Sequence, residues 1–138
     1  MSDEARFVSG VIILTIPTIQ FGGVFLLSLF SKSMKGVTDN PARMRLYVAG
    51  HAHAGVIVIL ALIFQPLVDQ TTMASGLQWL VRLGTPAAAV MMSAGFFTAM
   101  PAGATKPGVM KNLILAGAGL LAVCVLVLGV GLVTANQT

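Results

Sequence analysis

Four long apolar runs, separated by short polar breaks, constrain this chain more than anything else in it. A helix needs about 20 apolar residues to cross the hydrocarbon of a bilayer, and each run approaches or exceeds that length. Of the 138 residues, 57% are hydrophobic and only 9% are charged. A soluble domain is about a quarter charged, so this chain has no polar coat with which to face water. The expected fold is all-α: a polytopic integral membrane four-helix bundle. Its spans fall at about 7–30, 46–64, 77–100 and 109–133, within a single transmembrane domain over residues 1–138.

The boundaries follow from local signals. The first run follows an acidic start, Asp3-Glu4, and is longer than the apolar core of a cleaved leader. It reads as a retained helix. Thr38-Asp39-Asn40-Pro41 reads as a turn leading to an interfacial stretch before the second span. Pro66 is expected to close that span, because proline disfavours helix in the residue before it. The third span contains Arg82 and Pro86, which predict a snorkelling arginine and a kink, with Trp79 at the interface and Pro101 as the stop.

Charge orients the bundle. Lys32, Lys35, Arg43 and Arg45 lie between spans one and two, and Lys106 and Lys111 between three and four. With four spans these two loops share a side. The other side carries Arg6, Arg82, Asp3, Glu4 and Asp69. The positive-inside rule puts the basic loops in the cytoplasm and both termini outside. The expected location is a bacterial cytoplasmic (inner) membrane. The net charge of +4 is thereby explained by orientation, and no nucleic-acid partner is expected.

Gly50-His51-Ala52-His53-Ala54-Gly55 places both histidines of the chain within the second span. Polar groups at membrane depth are costly and mark pairs, cavities or function. At 1.5 Å per residue, the histidines lie about 9–12 Å from the basic side. Gln20 lies about 15 Å deep in the first span, and Met91 and Met92 about 12–14 Å deep in the third. Gln20 needs a partner, with His51 and His53 as candidates. Pro17 frees the Ile13 carbonyl, which Thr15, Thr18 or a neighbouring helix can satisfy. Positions i and i+2 of a helix are about 200° apart, so one helix cannot direct both rings at one metal ion. His51 shares its face with Gly55, Val58 and Leu62, and His53 with Gly50, Ile57 and Leu60.

This run resembles the His-x-His helix of the haem–copper oxidase catalytic subunits. There two histidines on opposite faces of one helix ligate two haems. The resemblance covers about six residues and implies that His51 and His53 are haem ligands. It carries no oxidase activity, since the chain has four expected spans instead of twelve and lacks that family's copper-site histidines. A second axial ligand would come from Met91, Met92 or Met100, or from a histidine of a second copy. The eight methionines also suit copper as Cu(I), which favours thioethers, although methionine commonly fills gaps in apolar helices.

Other chemistries lack their residues. Small four-span drug/proton antiporters are similar in size, but they rely on a membrane-embedded carboxylate and no span here carries one. The single Cys124 excludes an intrachain disulfide and a multi-thiolate metal site. No phosphate-cradling loop or serine triad is present. Small residues at helix spacing, Gly50 and Ala54, Gly95 and Ala99, Ala118 and Ala122, favour close helix contact. Three functions remain. One is a haem- or copper-binding electron-transfer protein, working as a homo-oligomer or in a larger respiratory complex. A second is a non-catalytic accessory subunit. The third is a small channel or transporter with pH-sensitive histidines. A stand-alone enzyme is not expected.

Overall fold

The computed structural model describes residues 1–32, 38–101 and 103–135. These residues form four helices: α1 (Asp3–Ser31), α2 (Pro41–Val68), α3 (Ser75–Thr98) and α4 (Lys111–Ala135). Each is long and apolar enough to cross a membrane. Lys35, one of the residues of the first basic loop, lies outside the described residues.

Local chemistry sets the helix starts. The Ser2 hydroxyl accepts from the Ala5 N–H and caps α1. The Asn40 side chain accepts from the Ala42 and Arg43 N–H groups, and Pro41 follows in the first helical position, where its missing donor costs nothing. The stretch expected at the interface is therefore the first turn of α2. The Asn40 amide also donates to the Ala104 carbonyl at 3.3 Å, and the Arg43 Nε to the Met100 carbonyl at 2.9 Å. These bonds tie the two basic segments together at one end of the bundle.

Pro66 does not end α2, which runs on through Val68. Val68 is fully buried with Val81 and Leu128 in a second core cluster. That burial outweighs the local preference of the residue before proline. Pro86 likewise lies within α3, and α3 stops at Thr98, before Pro101.

The helices pack in chain order: α1 on α2, α2 on α3, α3 on α4. The diagonals are thin, and among the described residues α1 does not touch α4. Close approach uses glycines on α3 and α4. A Cβ on Gly95 would lie 2.9 Å from the Ile114 backbone nitrogen, and one on Gly84 would lie 2.6 Å from the Cys124 sulfur. Ala118 and Ala122 instead lie on the exposed face of α4, and Gly117 makes the contact. α4 is apolar all round, so its sequence does not mark which face turns inward.

α1 is the least covered helix. Phe7, Leu14, Phe21, Val24, Leu27 and Phe30 are all exposed, as expected of a helix bathed in lipid. Between α1 and α3 lies an apolar groove of about 470 Å³, bounded on the α2 side by Ala54 and Val58.

Candidate functional site

The α2 helix carries its two imidazoles into two different seams. His51 meets α1: a Cβ on Gly22 would lie 3.3 Å from its Nδ1, and one on Gly23 would lie 3.3 Å from its Nε2. Two consecutive glycines thus leave the notch that the ring occupies. One turn toward the basic end, Tyr47 contacts Phe25 of α1 and Phe97 of α3, with ring centroids 6.4 and 5.2 Å away. His53 meets α3 instead. Its ring lies against Phe96, centroids 4.9 Å apart.

The protonation pattern of His53 follows from its neighbour. Nδ1 is 2.7 Å from the Ala49 carbonyl oxygen. A carbonyl only accepts, so Nδ1 carries the proton and Nε2 of the neutral ring keeps its lone pair. In metal sites the same kind of bond, from one ring nitrogen to a carbonyl, orients the imidazole so that its other nitrogen meets the metal. It also satisfies a histidine that merely packs.

Gln20 is exposed, and no described residue hydrogen-bonds its amide. It shares a groove of about 260 Å³ with His51, between α1 and α2, lined also by Ile16, Ile19, Gly23 and Gly55. The expected bond from Gln20 to a histidine of the same chain is not made. The freed-carbonyl expectation at Pro17 also resolves differently, because the Thr15 and Thr18 hydroxyls donate to Ile12 and Thr15.

Met91 and Met92 pack against α4, and Met92 also reaches the core beside α2. A Cβ on Gly117 of α4 would lie 2.7 Å from Met92 Cγ and 3.1 Å from Met91 Cβ. Met92 is buried in the main core with Ile57 and Val58. The α3–α4 seam and the α1–α2 seam of His51 share no helix. Met100 is buried at the basic end, where its carbonyl accepts from Arg43. Among the described residues no three His, Cys, Asp or Glu side chains gather around a metal position.

A polar cluster at the opposite end escaped the hydropathy reading. Arg82 does not snorkel; it is 3% exposed. Its Nη2 donates to Asp69 Oδ1 at 2.6 Å and its Nη1 to the Gln65 carbonyl at 3.0 Å. The Gln65 amide, fully buried, donates to the Ala61 carbonyl at 3.0 Å and to the Arg82 carbonyl at 3.2 Å. The Ser2 N–H and hydroxyl donate to Asp69 at 2.6 and 2.7 Å. Burial pushes the Asp69 carboxyl up, but the Ser2 N–H, the Arg82 guanidinium and the Ser2 hydroxyl together outweigh it. They hold the group at about 2, below its ordinary 3.8. The signal was present in the sequence: an arginine eight residues into α3 and an aspartate just past α2 fall on one side of the topology.

The fold and these sites define an all-helical bundle with four helices able to span a membrane, its polar groups confined to seams and ends. No family model, no curated protein and no solved structure matches the chain.

Proposed function

We propose that this protein is a small redox subunit of a membrane assembly, in which His53 of the His-x-His pair of α2 holds haem or copper. The observation that carries this reading is the His53 hydrogen bond to Ala49, which leaves Nε2 as an oriented donor nitrogen inside a membrane helix. His53 is the ligand in this reading, and His51 lies on the opposite face against α1. The second ligand comes from another chain, in a homo-oligomer or a larger respiratory complex. A haem or copper ion held there supplies one-electron transfer within the bilayer. The chain's own part is to fix the imidazole and to exclude water with Phe96 and the lipid-facing residues. The basic loops, by the positive-inside rule, face the cytoplasm.

A second reading, a non-catalytic accessory subunit, is favoured by the uncovered apolar face of α1 and its separation from α4. The channel reading needs polar side chains around an interior path. Gln20 and His51 share an outward groove, which gives that reading less support.

The test is an absorption spectrum of detergent-purified protein, oxidised and dithionite-reduced, with iron and copper analysis. A Soret band that shifts on reduction, or stoichiometric copper, is expected. A flat spectrum with neither metal overturns the proposal.

A further inference from the structure

The geometry points to the α1–α2 face, centred on Gln20 and His51, as the surface on which two copies of this chain pair. This goes beyond the cofactor reading and does not depend on it. Two polar side chains line the same groove deep in the membrane-spanning region, and none of the described residues hydrogen-bonds either of them. Lipid tails offer neither donors nor acceptors, so such groups gain by meeting a polar partner. The amide of Gln20 and the imidazole of His51 each carry a donor and an acceptor, and so complement one another.

Their placement selects a second copy as that partner. The ring of His51 sits beside Gly22 and Gly23, so Gln20 lies two to three residues, about 3–4.5 Å, from it along the axis. A two-fold axis along the membrane normal preserves depth. It therefore brings Gln20 of one protomer within about 3–4.5 Å of the level of the second protomer's imidazole, a span the two side chains bridge, and the reverse, in an isologous contact. Small residues allow the approach: a Cβ on Gly55, which lines the groove, would have no atom within 4 Å. Ile59, also in the lining and exposed, supplies apolar contact beside the polar pair.

The experiment is thiol cross-linking in native membranes with a short bis-maleimide, in a Cys124→Ala background. Ile59→Cys is expected to give a covalent dimer, and Leu115→Cys, on the exposed face of α4, is expected to stay monomeric. Sedimentation equilibrium in detergent gives the second readout. Gln20→Leu is expected to weaken association about tenfold, the effect of losing two intramembrane hydrogen bonds, and Gln20→Asn to restore part of it. Helicity by circular dichroism checks that each variant folds. A monomer at all protein-to-lipid ratios, equal cross-linking at both positions, or unchanged association of Gln20→Leu overturns the proposal. The absorption spectrum, which tests the cofactor reading, is scored separately on the same samples.

Discussion

Arg82 donates to Asp69 across 2.6 Å, and this contact joins the early turns of α3 to the residue that follows α2. Ser2 adds α1 to the same carboxylate. Three helix ends thus converge on one acid at the end of the bundle opposite the basic loops. The guanidinium is buried while the aspartate keeps a partial opening to solvent, so removing one partner leaves a charge with few alternatives.

Arg82→Leu is expected to destabilise the bundle by about 3 kcal/mol, the scale for breaking a buried pair from one side. Unfolding in a mixed-detergent titration measures this. Asp3→Ala is the control: its pair with Arg6 is exposed on both sides, and such pairs contribute almost nothing. The double variant Arg82→Leu with Asp69→Asn is expected to recover part of the loss, because no uncompensated carboxylate remains.

The same pair sets an acid limit. The folded pKa of Asp69, about 2, lies below its ordinary value of 3.8. A lowered folded-state pKa stabilises above the unfolded value, and that contribution is lost as pH falls through the folded value. The melting-temperature gap between wild type and Asp69→Asn is expected to be constant near neutral pH. It narrows below about pH 4 and closes near pH 2. A gap that widened on acidification would contradict the assignment.

If α2 carries a cofactor through His53, then His53→Ala abolishes the visible absorption or the bound copper. His51→Ala retains it at wild-type stoichiometry. Spectra and metal content of the two purified variants decide this. Retention in both variants would place the ligand elsewhere, and equal loss in both would overturn the assignment to His53 alone.

Packing of α3 on α4 depends on missing side chains. Gly84→Ala is expected to cost about 1–3 kcal/mol through overpacking, because its Cβ would meet the Cys124 sulfur at 2.6 Å. Adding Cys124→Ala removes the obstructing atom and is expected to restore most of the loss. Gly119→Ala, with no atom within 4 Å, is expected to be neutral or mildly stabilising. Thermal unfolding of wild type, Gly84→Ala, Cys124→Ala and the double variant forms one cycle, with Gly119→Ala as the control.

Some of the site is legible in the sequence alone. The opposite faces of His51 and His53 follow from 100° per residue, and the two rings do enter different seams. The shared face of His51, Gly55, Val58 and Leu62 reappears as one wall of the groove. Met91 and Met92 match the histidines in depth, yet the turn of α3 directs their stems at Gly117. Depth fixes one coordinate of a side chain, and rotation about the helix axis fixes the other.

Hydropathy and capping residues by themselves determined that there are four helices, where each begins within a few residues, and that the basic segments gather at one end. Those signals are local and act through the solvent and the backbone. Only the tertiary structure decided that Arg82 turns inward to Asp69, that Pro66 stays helical, and that Gln20 faces away from the bundle core. In lipid an apolar helix has no hydrophobic reason to hide one face. Rotation is then set by glycine notches and a few polar bonds, which exist only once the helices meet.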